Sequence, residues 1–285
     1  NMLKLSLLLR IYRLITLLML NFFFLLLGIV VAAISPLTEK KVKIKAFCSV
    51  LWARSLCRIL GINVSVTGHY KDAKTGFTVC NHVSYLDIIV IGGVRPSVFI
   101  SKHEVRDWPL LGWLARLGGT IFVDRSSKKA ALSVLSEMER VIDRDINIVI
   151  FPEAATSDGI SLKEFKSTFF DLPAKAKIPV IPVSLRYTSI DSQPIKTRHE
   201  MDSIAWYGGM RLLPHAWNIL GYRRIDVTLF FNPAIHEIIT EPDATGTRKL
   251  LSSMAYESIK HGLSEIEANS ISPENPPLPP FAKGG

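Results

Sequence analysis

His82 and Asp87 stand five residues apart in the segment Asn81-His82-Val83-Ser84-Tyr85-Leu86-Asp87. An imidazole oriented by a carboxylate is suited to act as a general base near neutral pH. The spacing limits how the two can meet. In an unbroken helix, at about 100° per residue, positions five apart point about 140° away from each other, so one helical face cannot carry both. The preceding residues 77–80, Phe-Thr-Val-Cys, are apolar and β-prone, while Ser84-x-x-Asp87 has the form of a capping box. The reading is therefore a strand, a turn holding Asn81 and His82, and a helix over 84–92 with Asp87 in its first turn. In that arrangement the carboxylate can hold one imidazole tautomer, and the ring can take a proton from a substrate hydroxyl. Two plainer readings stay open: a histidine in a turn can be a surface residue, and Asp87 can simply cap the helix and face its dipole. No Gly-x-Ser-x-Gly elbow is present, and Cys80 belongs to a strand interior, so the pattern favours direct attack by the substrate hydroxyl over a covalent intermediate.

Other residues could bind what the base deprotonates. Arg125 follows a predicted strand and its planar fork of donors could clamp a phosphate, or it could pair with Asp124. Glu153 also follows a strand, where ligands collect in open α/β sheets, although a solvated loop acid would read the same way. Lys102 and Lys166 could add positive charge for a phosphate, with a solvated lysine the alternative for each. His69, His103, His199, His215, His236 and His261 lack comparably placed partners. Three cysteines, Cys48, Cys57 and Cys80, show no metal spacing and an odd count, which reads as reduced thiols. The chemistry calls for no metal and no bound redox cofactor.

These residues resemble a known family. Asn81-His82-x-x-x-Leu86-Asp87 is similar to the first motif of the glycerolipid and lysophospholipid acyltransferases, in which the histidine is the general base and the aspartate orients it. Further segments follow in the family's order: Gly119-Thr-Ile-Phe-Val-Asp-Arg125 resembles the second motif, Phe151-Pro-Glu153 opens a third, and Val180-Ile-Pro-Val183 resembles the fourth. The resemblance implies catalytic roles for His82 and Asp87. It implies acceptor contacts at Glu153 and Arg125, with Asn81, Lys102, Thr156 and Lys166 as further candidates for substrate binding. It also implies an acyl thioester of acyl carrier protein or coenzyme A as donor and a lysophospholipid, first of all 1-acyl-glycerol-3-phosphate, as acceptor. Other lysolipids, such as a lyso-aminolipid, are the alternative, and a hydrolase or a noncatalytic lipid-binding protein of the same fold remain as rival classes. The third motif departs from the family's Phe-Pro-Glu-Gly-Thr, since Ala154 and Ala155 occupy its last two positions. If the usual glycine adopts positive φ, Ala154 must be strained or the turn must differ. Thr156 could supply the missing hydroxyl from the next position.

The elements that position these residues follow from patterning. Strands are expected over 63–67, 77–80, 98–100, 120–123, 147–151, 180–186 and 226–231, and helices over 84–92, 128–144, 163–177 and 245–267. Short β-rich runs alternating with helical stretches give an α/β fold, a mixed, largely parallel sheet flanked by helices. The organisation reads as an N-terminal membrane-associated helical segment over 1–60, a catalytic domain over 61–268 and a Pro-rich tail over 269–285. At 48% hydrophobic residues and mean hydropathy +0.26, some apolar surface should face lipid. Residues 15–34 are nearly all apolar, long enough for a hydrocarbon core of about 30 Å and long for a signal peptide. Lysines 40, 41, 43 and 45 follow, and basic residues on both flanks favour a cytoplasmic placement, with the segment either spanning or lying in one leaflet. A basic amphipathic helix over 39–60 would then rest on anionic headgroups of the cell membrane or pack on the domain. The net charge of +9 suits a membrane surface, an acidic carrier protein or a phosphorylated substrate, and no nucleic-acid motif accompanies it.

Overall fold

The structure is a computed structural model that describes the chain apart from residues 1, 35–39, 73–74, 108–111, 113–114, 117, 124–127, 237–243 and 272–285. In chain order the elements are α1 (Met2–Ile34), α2 (Lys40–Leu60), β1 (Ile62–Gly68), β2 (Phe77–Cys80), α3 (Asp87–Gly92), β3 (Ser97–Lys102), β4 (Ile121–Val123), α4 (Lys128–Ile142), β5 (Asn147–Ile150), α5 (Asp171–Ala176), β6 (Val180–Ile190), β7 (Gln193–Pro194), α6 (Arg198–Met201), α7 (Leu212–Ile219), β8 (Ile225–Phe231) and α8 (Ala244–Ile271). Among the described residues the strands form one sheet in the order β1-β8-β6-β2-β5-β3-β4, with β7 paired to β6. All neighbours run parallel except β6 with β7 and β6 with β8. The expected mixed, largely parallel sheet is present.

The central strands β2 and β5 are buried at every position, which is why their sequences run apolar without alternation. One core lies where α2 and α3 meet the sheet, through Leu56, Cys57, Ile89 and Val90 against Ile181, Val183, Leu185 and Tyr187. The other lies beneath α4 and α8, where Met138, Val141, Ala255 and Ile259 meet Phe77, Val79, Ile148 and Val180. The approach of α8 to β6 is close enough that a Cβ on Gly262 would fall 2.3 Å from Ser184 Oγ. That hydroxyl donates to the Ile259 carbonyl at 2.8 Å.

Two helices differ from their sequence patterns. The helix expected over 163–177 is an extended segment, a 3-10 turn (Ser167–Phe170) and the short α5. Lys163 and Lys166 give their backbone N–H groups to Glu153 and to the Pro152 carbonyl, so these groups serve the neighbouring loop instead of a helix. Pro173 then falls in the first turn of α5, where its missing N–H costs no helical bond. The helix expected over 84–92 begins only at Asp87, and Ser84 supplies no cap. Its hydroxyl is buried without a partner, while Asp87 accepts the Ser84 N–H, half of a capping box without the other half. The last helix, α8, runs to Ile271, past the expected start of the tail at 269, and residues 272–285 lie outside the described residues.

The 33-residue α1 includes a 28-residue stretch, Lys4–Val31, long and apolar enough to cross a membrane. One stripe of it docks on the protein. Leu17 and Leu20 pack on the core, and Asn21 accepts from the Trp52 indole of α2 at 3.1 Å. Arg13, 5% exposed, donates to the carbonyls of Leu220 (3.2 Å), Tyr222 and Arg223 (3.3 Å) beyond α7. The opposite side exposes Leu8, Tyr12, Ile15, Met19, Phe22 and Leu26. The basic helix α2 is not merely superficial, since Ala53, Leu56, Cys57 and Leu60 belong to the core. It still exposes Ile44, Phe47 and Leu51.

Candidate active site

Because β2 and β5 are adjacent and parallel, the loops leaving their carboxyl ends meet, and these loops carry His82 and Glu153. The His82 Nδ1 lies 2.8 Å from Asp87 Oδ2. A carboxylate only accepts, so Nδ1 bears the proton and Nε2 keeps its lone pair. The pair sits at the end of a strand and the start of a helix, as the five-residue spacing required. Its environment is asymmetric: the Asp87 side chain is 0% exposed and that of His82 is 17% exposed. One member is sealed in and the other reaches the surface.

Asp87 is held by four donors. Oδ2 accepts from His82 Nδ1 and from the backbone N–H groups of Val83 (2.7 Å) and Ser84 (2.9 Å). Oδ1 accepts from the Tyr187 hydroxyl at 2.7 Å. Tyr187 is fully buried in β6 on the face that packs on α3, and burial together with the Asp87 charge keeps its phenol protonated far above its ordinary range. Tyr187 is absent from every sequence expectation, because the two residues are a hundred positions apart and meet only when β6 pairs with β2.

The backbone of His82 is fixed on both sides by the loop after β5. Its N–H donates to Glu153 Oε1 at 2.7 Å, and its carbonyl accepts from the Ser157 N–H (2.7 Å) and hydroxyl (3.0 Å). The Phe151 ring stacks on the imidazole, with centroids 3.9 Å apart and planes 13° apart. Ser157 and Phe151 as a ring partner also went unnoticed in the sequence. The adjacent motif Phe-Pro-Glu was the available signal, and it marks the loop without saying which way its side chains turn.

The residues expected to bind substrate divide. The Asn81 amide is buried and spent on β6, donating to the Leu185 carbonyl (2.9 Å) and accepting its N–H (2.8 Å). It holds the strand that carries Tyr187 and is not turned to a ligand. Glu153 is likewise buried, with Oε2 taking the Lys163 N–H at 3.2 Å. Thr156 is half-buried beside it, its carbonyl accepting from the Lys163 ammonium at 2.7 Å, and Lys166 is exposed. Lys102 ends β3, but its side chain, like all of Arg125, lies outside the described residues. Cys80 is fully buried, and desolvation pushes its thiol well up, so it offers no thiolate nucleophile.

Burial raises the Glu153 carboxyl from 4.5 to about 7, against the lowering effect of the N–H groups of His82 and Lys163. A carboxyl raised on folding contributes stability that is fully present below pH 4.5 and is lost as pH rises through about 7. At about 1.4 kcal/mol per pH unit the whole loss is on the order of 3 kcal/mol. Glu153→Gln should flatten this part of the stability profile, checked by urea unfolding between pH 4.5 and 8. A variant profile as steep as that of the wild type would assign the slope to another group.

Ala154 has φ of 63°, the left-handed conformation that glycine occupies without penalty. The alanine at this position therefore carries backbone strain. Ala154→Gly should raise stability by about 1 kcal/mol, read as an upward shift in Tm. A lower Tm would mean that contacts of the methyl outweigh the backbone strain.

A mixed α/β sheet that sets a carboxylate-oriented histidine at the carboxyl end of its central strands is the arrangement of this chain's candidate active site. The acyltransferase family model matches residues 62–186, spanning β1 to the middle of β6. A lyso-ornithine lipid O-acyltransferase of Rhizobium meliloti is 32% identical over 222 residues, covering 75% of this chain and 74% of that one. A 1-acyl-sn-glycerol-3-phosphate acyltransferase of Neisseria meningitidis is 31% identical over 179 residues, 62% and 68% of the two chains. The crystal structure of the acyltransferase PlsC from Thermotoga maritima shares the fold with a TM-score of 0.66 over 94% of this chain and 98% of that one, at 21% identity. The chain belongs to the acyltransferase family and is an O-acyltransferase.

Proposed function

We propose that the enzyme transfers a fatty acyl group from a thioester of acyl carrier protein or coenzyme A to a free hydroxyl of a lysolipid, with His82 as general base and Asp87 as its orienting partner. The observation that carries this reading is the 2.8 Å contact that leaves His82 Nε2 as the base while Asp87 is buried beneath it. Nε2 takes the hydroxyl proton as the oxygen attacks the thioester carbonyl. The tetrahedral oxyanion then collapses, the C–S bond breaks, and the imidazolium returns its proton to the departing thiolate. Asp87 supports the imidazolium between these steps.

The acceptor read from the motifs is 1-acyl-glycerol-3-phosphate, giving phosphatidate. A lyso-aminolipid acceptor is the second reading, favoured by the greater share of the chain matched by the Rhizobium lyso-ornithine lipid enzyme. Glu153 and Asn81 act in this scheme by fixing the His82 turn, which leaves the acceptor headgroup to residues such as Arg125, Lys102 and Lys166. A labelled acyl donor offered with both lysolipids separates the possibilities. Ester formed on one acceptor and lost in His82→Ala supports transfer to it, whereas free fatty acid alone would make the protein a hydrolase.

The enzyme works at a membrane, and its basic surface suits the cytoplasmic leaflet. Docking along one whole stripe of α1, with Arg13 buried at the body, favours a helix lying in the leaflet over an isolated span. Removing residues before Gly61 would not isolate this anchoring role, because α2 would take part of the core with it.

A further inference from the structure

The short helix α7 carries the most exposed of the large apolar side chains among the described residues, Leu213 at 81%, and one turn on, Trp217 at 36%. These two are four apart and so share a face. The opposite side of the helix is firmly held: Ile219 is buried in the core, and His215 Nδ1 lies 3.1 Å from the Tyr85 hydroxyl. Among the described residues this face stays exposed, largely so at Leu213 and partly at Trp217. It adjoins α1, whose Arg10 guanidinium lies 5.5 Å from the Trp217 ring centroid. Exposed Arg211 precedes the helix and exposed Arg223 follows it. Apolar and indole side chains flanked by arginines match the boundary of an anionic lipid leaflet, where acyl chains take the former and headgroups the latter.

We propose that α7 is a second membrane-contacting element, whose Leu213 and Trp217 face enters an anionic leaflet beside α1. The proposal rests on the reading that the enzyme acts at a bilayer, and adds where its active site meets that bilayer. The back of α7 touches Tyr85, inside the segment between His82 and Asp87, and ahead of α7 the backbone N–H of Trp206 donates to the Val83 carbonyl at 3.0 Å. The leaflet is thereby brought against the catalytic turn, so a lysolipid can present its hydroxyl while its chain stays in lipid. A second copy of the chain is the competing occupant, and the basic flanks disfavour it because they would face each other across a symmetric contact.

The test uses the full chain. A fluorophore sensitive to polarity is placed on Leu213→Cys in a Cys48→Ser background, the other cysteines being buried. Vesicles of phosphatidylglycerol and phosphatidylethanolamine should shift its emission to the blue and shield it from aqueous iodide, and phosphatidylcholine vesicles should do so weakly. Leu213→Asp should lower vesicle partition about tenfold. It should reduce by a similar factor the ratio of acylation rates for vesicle-embedded against monomeric short-chain lysolipid. A fluorophore still open to iodide while the protein is vesicle-bound would overturn the proposal, as would shielding that appears with protein concentration alone. Wild type that fails to bind vesicles at all would instead remove the bilayer reading itself.

Discussion

His82→Ala is expected to lower kcat/KM for acyl transfer by about 10³-fold, with thermal stability changed by little. Positioned general bases contribute about 10² to 10⁴ in rate, and no second base stands ready among the described residues. The nearest carboxylates are occupied: Asp87 accepts four donors and Glu153 accepts two backbone N–H groups. Cys80 is sealed in the sheet. The fold should survive because the bonds that hold this turn are made by the backbone of residue 82, which alanine retains. Rates on both lysolipid acceptors, with a Tm for each protein, provide the check. A loss below tenfold with an unchanged Tm would refute the base assignment.

Asp87→Asn is expected to lower kcat by about 10²-fold or more while the protein stays folded. Asn has nearly the same shape, and its carbonyl can still face His82 Nδ1 and the N–H groups of Val83 and Ser84. Its NH₂ then faces the Tyr187 hydroxyl, which can reverse its role and accept. What is lost is the negative charge beneath the ring, which supports the imidazolium formed during attack. Asp87→Ala would be a poorer test, because it leaves buried donors unpaired and so confuses folding with catalysis. Steady-state kinetics alongside urea unfolding would separate the two effects. Full activity in Asp87→Asn would reduce Asp87 to a structural cap of the turn.

Both predictions concern residues that could be read from the chain. The strand, the turn and the five-residue spacing are local features, and each follows from side-chain type and backbone geometry over seven residues. The sheet was legible for the same reason: buried parallel strands such as 77–80 and 147–150 announce themselves as apolar runs between breakers. The helix expected over 163–177 failed because its pattern is helical but its N–H groups are claimed by Glu153 and Pro152, which are remote in neither space nor function. Strand-end polar residues can also turn inward: Glu153 and Asn81, both read as candidates for substrate binding, are buried and hydrogen-bonded to the His82 N–H and to Leu185.

The sequence by itself singled out His82 and Asp87 as the candidate pair, the main strands in chain order, the apolar first helix, and Ala154 as a position strained if its backbone takes positive φ. Each rests on residue type, short spacing or the resemblance of ordered motifs. Only the tertiary structure decided that Tyr187 lies beneath Asp87, that Glu153 and Ser157 grip the backbone of His82, that α1 is docked by Arg13 and that α7 turns Leu213 outward. Those contacts join residues separated by about 70 to 210 positions. Which of many polar residues meet across such distances depends on strand pairing and packing of the whole domain, and no local pattern encodes it.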